Sequence, residues 1–346
     1  MTDFTAANFP NSDPIIANHT PPPASGSHKI FIGKDGLRAG WSLLIAVGLF
    51  SAFFPAINTV AHKVHLVAPH ALESEPSPIP VFITEILAFL VTCLVTWIMS
   101  KIERRPMSVY GLGGERKSSR FFIGAFWGVF FLSLLVLLLF KSGLLVIDGR
   151  LLFGSDVLRY ALAWIPGFLA IALFEEYFFR GYLQYTLSRG FAGLYRSIFK
   201  RTSNSRALGF WTAAVLVSFG FGLVHGSNPG ESPIGLICAG LASLVFCLSL
   251  WRTGSLWWAI GLHTTWDWAQ SFLYGVADSG ASFRYHLLAT HPEGRPLFSG
   301  GATGPEGSIC VLPVLFLLTL VIVFTLPRNQ NDYIRLLPSD PQPSEV

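Results

Sequence analysis

The stretch "IALFEEYFFRGYLQ", residues 171–184, sets Glu175, Glu176 and Arg180 into a run that is otherwise apolar and aromatic. The chain around it has the composition of a lipid-embedded protein: 51% of residues are hydrophobic and 13% are charged, with a mean hydropathy of +0.52. These values exclude an ordinary soluble domain. A helix that crosses a bilayer needs roughly 20 mostly apolar residues, because its backbone must satisfy its own hydrogen bonds where water is absent. Eight segments approach or meet that length, at 39–61, 81–100, 121–145, 157–182, 208–225, 233–251, 256–276 and 308–326. The sequence therefore predicts an all-α, polytopic integral membrane protein with about eight transmembrane helices and no soluble domain. The sixth segment, "PIGLICAGLASLVFCLSLW", is rich in small residues and suits close helix packing.

Residues 1–38 are rich in Pro, Asn and Ser and are expected to form a disordered tail, as are residues 327–346, leaving 39–326 as the transmembrane domain. The first apolar stretch starts only at Ala39 and is long enough to span, so it reads as a true helix and not as a signal peptide. With both termini in the cytoplasm, 17 Lys and Arg fall on the cytoplasmic side and 6 on the other, Arg180 set aside. The net charge of +4 follows from this topology and does not point to nucleic acid. The basic runs "KIERRPM" and "GGERKSSR" between the second and third spans are placed to meet anionic headgroups. Cys93, Cys238, Cys247 and Cys310 lie in or beside apolar spans without C-x-x-C spacing and are assigned to packing.

An ionisable side chain at membrane depth costs on the order of 3 kcal/mol, which marks a functional site by default. A structural reading covers part of the stretch, since Glu176 and Arg180 stand four apart and can form an ion pair along one helix. It leaves Glu175, about 100° around the helix, without a local partner. Two other polar sites can meet it: "SFGFGLVHG", with Phe221 and His225 four apart, and "GLHTTWDWAQ", with His263 and Asp267 four apart. At about 1.5 Å of rise per residue, a fourth helix ending near Arg189 puts Glu175 roughly 21 Å from its cytoplasmic end. His225 then lies roughly 24 Å beyond Gly209, Asp267 roughly 20 Å beyond Gly254 and His263 roughly 14 Å beyond it, depths that permit one shared pocket.

The trio "EEYFFR", "FGLVH" and "HTTWD", in this order on the fourth, fifth and seventh spans, resembles the CAAX protease and bacteriocin-processing (Abi) family. These are intramembrane glutamic endopeptidases related to the type II CAAX prenyl protease. The resemblance covers about 121–326 and implies a catalytic core on helices 4, 5 and 7. It implies Glu175 as general base, His225 as a second holder of the attacking water, and His263 with Asp267 as stabilisers of the oxyanion. Glu176, Arg180 and Phe221 would support them. It further implies an enzyme independent of metal and cofactor, acting on a membrane-associated protein or peptide, prenylated CAAX-type tails among them. The prenyl proteases carry Asn where this chain has Asp267. Either the Asp is protonated and donates a hydrogen bond, or it orients His263 by accepting the ring N–H, the reading favoured here.

Glu175, His225 and His263 would also make a three-ligand zinc set, although no H-E-x-x-H is present. A different class of function is an ion-coupled transporter or a membrane scaffold or immunity protein that uses the buried polar cluster. Glu85, Pro55 and Pro166 fit that class, and no inverted pair of interrupted helices supports it. The long segment between the last two spans, "ADSGASFRYHLLATHPEGRPLFSGGATGPEGS", reads as an irregular lid, with Asp278, His286, His291 and Glu293 as a possible second site.

Overall fold

The computed structural model describes residues 28–33, 36–64, 66, 75–199 and 204–327. The remainder of the two tails, 1–27 and 328–346, lies outside the described residues. Within the stretch expected to be a tail, His28–Phe31 forms a helical turn and Ile32–Gly33 pairs with Gly36–Leu37. This hairpin is pinned to the first helix by the Trp41 Nε1–H, which donates to the Ile30 carbonyl at 3.2 Å.

In chain order the main elements are α1 (Ala39–Lys63), α2 (Pro78–Glu103), α3 (Lys117–Lys141), β1 (Leu145–Arg150), α4 (Ser155–Ile198), α5 (Ser205–Val224), α6 (Pro233–Thr253), α7 (Trp257–Trp268), β2 (Leu288–Pro292) and α8 (Val311–Thr325). Every predicted span is helical, and the protein is a polytopic helical membrane protein. Six helices are long and apolar enough to cross a bilayer by themselves. The other two, α7 and α8, have 12 and 15 residues.

Several boundaries follow from local chemistry. α2 and α6 each begin with Pro directly after Ser, a start in which the missing proline N–H is one the first turn cannot use anyway. The Ser232 hydroxyl caps α6 by accepting from the Gly235 N–H at 3.0 Å, and Gly254 closes that helix in the left-handed conformation. α1 runs through Pro55 and α4 through Pro166 without ending there.

α4 is 44 residues long, so it extends well past the Arg189 end assumed from sequence. Its second half is held by tertiary bonds: the Gln184 Nε2–H donates to the Phe210 carbonyl of α5 at 3.0 Å. Arg189 donates to the Leu37 carbonyl at 2.8 Å and pairs with Glu103 of α2 at 3.4 Å. Depths counted from the end of α4 therefore shift by the extra turns. α5 begins beside that end and runs antiparallel, so the two helices still bring their polar residues to one level.

Lipid tails are as apolar as Leu, so close van der Waals approach holds these helices together, with hydrophobicity contributing little between them. The tightest seam joins α3 to α7. A Cβ on Gly124 would sit 2.0 Å from the Trp258 carbonyl oxygen, one on Gly128 2.3 Å from that of Leu262, and one on Gly261 2.0 Å from that of Phe121. Around this seam Leu132, Leu135, Leu139, Leu262, Leu318 and Ile322 form a buried core shared by α3, α7 and α8.

The segment expected to be an irregular lid contains a strand. β2 pairs antiparallel with β1, with a register shift between Ile147 and Gly149. The chain leaving α3 is thereby fastened to the chain approaching α8, and the intervening loop is drawn across the helix ends.

Candidate active site

α4 carries Glu175 at the end of its first α-helical stretch, and a π-helical turn, Glu176–Leu183, begins at the next residue. A second π turn, Ala269–Leu273, follows α7 two residues after Asp267. Such wide turns are rare and are concentrated at functional sites. Nothing in the residue pattern announces either of them.

Glu176 and Arg180 are fully buried, at 0% exposure each, and pair at 3.1 Å. The Arg180 guanidinium lies 3.8 Å from the centre of the Phe221 ring and 5.2 Å from that of Phe246, a cation held between two aromatic faces. Phe221 also meets the His225 ring, with centroids 4.6 Å apart. It thus touches both a buried cation and an imidazole that borders the cavity.

His225 follows directly on α5 and opens a short 3-10 turn, His225–Ser227. Its Nδ1 lies 2.7 Å from the Phe221 carbonyl oxygen. A carbonyl can only accept, so Nδ1 carries the proton and the neutral ring keeps its lone pair on Nε2. The same logic applies to His263, whose Nδ1 lies 3.1 Å from Glu176 Oε1, while its Nε2 faces Glu175 at 3.7 Å and Asp267 at 3.6 Å. The hydrogen bond that orients His263 therefore comes from Glu176. Asp267 stands beyond hydrogen-bond length, and the expected orienting contact from Asp267 does not form. Glu175 Oε2 is buried and makes no hydrogen bond with the protein.

Glu175, Phe221, His225, His263 and Asp267 all line one cavity of about 250 Å³. Glu176 and Arg180 sit behind its wall. Three further carboxylates also line it, Glu85 from α2 and Asp278 and Glu306 from the loop before α8. Glu85 drew notice in the sequence only as an isolated intramembrane acid. Asp278, His286, His291 and Glu293, considered from sequence as a second site, have separate partners in part: His291 bonds Asp148 across the β1–β2 pair at 2.8 Å and lies 3.8 Å from Glu293, and the His286 ring lies 2.6 Å from the Leu288 carbonyl. Asp278 accepts from the Ser271 hydroxyl at 3.1 Å. Burial, followed by the charge of Glu306, pushes its carboxyl well above the usual aspartate range. Glu306 in turn accepts from the Ser279 backbone N–H and hydroxyl at 2.5 and 2.6 Å.

Among the described residues, no three His, Cys, Asp or Glu side chains stand close enough to hold one metal ion. Glu175, His225 and His263 share the cavity without forming the three-ligand set considered from sequence.

A carboxylate, two oriented imidazoles and a buried ion pair behind them make a polar pocket within a helical membrane domain, the kind of constellation that acid–base chemistry uses. Residues 157–269 match the family model described as type II CAAX prenyl endopeptidase Rce1-like, which bears out the resemblance carried by the three motifs. The match covers roughly a third of the chain and includes every motif residue from Glu175 to Asp267. Comparisons with curated proteins and with solved structures found no match.

Proposed function

We propose that the protein is an intramembrane endopeptidase of the CAAX type, which hydrolyses a peptide bond in a membrane-associated protein or peptide. The observation that carries this reading is Glu175 Oε2, which lies within the shared cavity without a protein hydrogen bond, 3.7 Å from His263 Nε2. The family match over residues 157–269 supports the reaction class.

Water is held between the Glu175 carboxylate and the His225 Nε2 lone pair. Glu175 takes one proton as the water oxygen attacks the peptide carbonyl carbon. Negative charge develops on the carbonyl oxygen. A doubly protonated His263, its Nδ1–H held by Glu176, donates to that oxygen through Nε2–H, and a protonated Asp267 carboxyl adds a second donor. The C–N bond then breaks as the proton passes to the leaving amine through Glu175 or His225. Each of these steps uses side chains alone, so the proposed enzyme is metal-independent and needs no cofactor. With the basic clusters facing the cytoplasm and both termini there, the loop carrying Asp278 and Glu306 closes the cavity from the opposite side.

The test compares new protein termini, read by mass spectrometry, in membranes of cells making the wild type or Glu175→Gln, with and without a zinc chelator. Termini that depend on Glu175 and withstand chelation are expected, and they also name the substrate. Loss on chelation would place a metal in the mechanism. Identical termini from equal amounts of folded protein would replace hydrolysis with transport or scaffolding.

A further inference from the structure

α2 ends at Glu103, and Arg104 follows in the left-handed conformation, with φ 53° and ψ 45°. The Arg104 N–H donates to the Lys101 carbonyl and the Arg105 N–H to the Ser100 carbonyl at 2.9 Å, the two bonds of a Schellman ending. Where a helix ends in this way the residue is usually glycine, which alone adopts the conformation without steric cost. A bulky arginine here is strained, and observed backbone strain points toward function.

Leu90, Leu94, Trp97, Lys101 and Arg104 follow at intervals of four and three, so they lie on one face of α2 and its end. All five are exposed, Trp97 at 50%. The stripe passes from aliphatic through aromatic to cationic over about 20 Å of helix. Lys101 Nζ sits 5.9 Å from the centre of the Trp97 ring. Trp97, Ser100, Lys101, Arg104 and Met107 line a recess of about 400 Å³ at the cationic end. The neighbouring Arg105 is engaged by Glu103 and the Tyr185 hydroxyl. The side chains of Lys101 and Arg104, by contrast, make no hydrogen bond or ion pair among the described residues. Cations near a helix C-terminus also offset its dipole. That effect does not require the strained position, which glycine would fill more easily.

We propose that this recess binds the phosphate of an anionic phospholipid, with Lys101 and Arg104 as its cations, Trp97 at the interface, and an acyl chain along Leu94 and Leu90. The order of the stripe matches the order of groups in one lipid, from tail to headgroup. This site is separate from the proposed catalytic cavity and does not depend on its reading.

The full-length protein in detergent is titrated with phosphatidylglycerol or phosphatidylcholine, and bound lipid is counted by native mass spectrometry. The wild type should bind phosphatidylglycerol about 25-fold more tightly than phosphatidylcholine, roughly fivefold for each of the two cations. Arg104→Gly should weaken phosphatidylglycerol about fivefold and the double variant Lys101→Gln with Arg104→Gly by a further similar factor, from the usual contribution of one basic residue near an anionic surface. Phosphatidylcholine binding should not change. Thermal stability of Arg104→Gly should equal or exceed that of the wild type, and Arg104→Asn, which also tolerates the left-handed conformation, serves if the glycine variant unfolds. Unchanged phosphatidylglycerol binding by a folded Arg104 variant would overturn the proposal. Displacement of the lipid by millimolar inorganic phosphate would overturn it too, by making the recess a site for free phosphate.

Discussion

Glu175 and Glu176 are adjacent in sequence but meet different surroundings, because one residue of helix turns a side chain through about 100°. Glu176 is fully buried with Arg180 and His263 each 3.1 Å from its Oε1, whereas Glu175 borders the cavity with its Oε2 3.7 Å from His263 Nε2. Removing one partner of a buried ion pair leaves the other charge uncompensated, which costs about 3–5 kcal/mol. Glu176→Gln is therefore expected to lower the unfolding temperature markedly and to abolish cleavage. Glu175→Gln is expected to leave the unfolding temperature close to that of the wild type while cleavage falls by about 10²–10⁴-fold, the usual contribution of a general base. Thermal unfolding measured beside cleavage separates the two roles. An unstable Glu175→Gln with a stable Glu176→Gln would reverse them. Phe221 acts at the same scale, since Phe221→Leu removes a cation–π contact of about 2 kcal/mol and the face on which the His225 ring rests. Cleavage should drop with a smaller loss of stability than Glu176→Gln causes.

α7 carries both His263 and Asp267, and its placement is set by the glycine seam with α3. Gly124→Ala would put a methyl group 2.0 Å from the Trp258 carbonyl oxygen, so the helices must separate. Overpacking of this kind costs about 1–3 kcal/mol or more, and the shift should move His263 away from Glu176 and reduce cleavage. Gly48→Ala is the control: its Cβ meets nothing within 4 Å, on a helix interior where Ala is favoured by about 0.5–1 kcal/mol, so stability should rise. A matched fall in both variants would show that the seam is not what places α7. Apolar length made the membrane helices legible in the sequence, six of them long enough to cross a bilayer by themselves, and the motifs "EEYFFR", "FGLVH" and "HTTWD" made polar residues that share the cavity legible. The continuation of α4 was not legible. "QYTLSRGFAGLYRSI" is weakly apolar and contains Gly190 and Gly193, and it stays helical through bonds to Phe210, Leu37 and Glu103 far away in sequence. Asp278 and Glu306 were hidden for a related reason. Their loop reaches the cavity because β2 pairs with β1 across roughly 140 residues, a contact with no local signal.

At the scale of the whole molecule, the helical domain supplies the cavity and the loop before α8 covers one end of it. The cover is fastened by the Glu306 bonds to Ser279 and by the Ser271 bond to Asp278. Burial, followed by the charge of Glu306, holds the Asp278 carboxyl well above its ordinary value. An unfolded or detached loop would return that group to about 3.9. A raised value in the closed state means the closed loop binds the proton more tightly than the open one. The stabilisation is therefore complete below about pH 3.9 and is lost as pH rises through the raised value. Amide hydrogen exchange in 278–283 and 303–308 should thus accelerate over that range beyond the intrinsic base-catalysed increase, while the core of α3 remains protected. Asp278→Asn removes the titrating carboxyl and keeps an acceptor for the Ser271 hydroxyl, so this excess acceleration should disappear. An Asp278→Asn protein whose loop still opens with the wild-type pH dependence would show that another group fastens the cover.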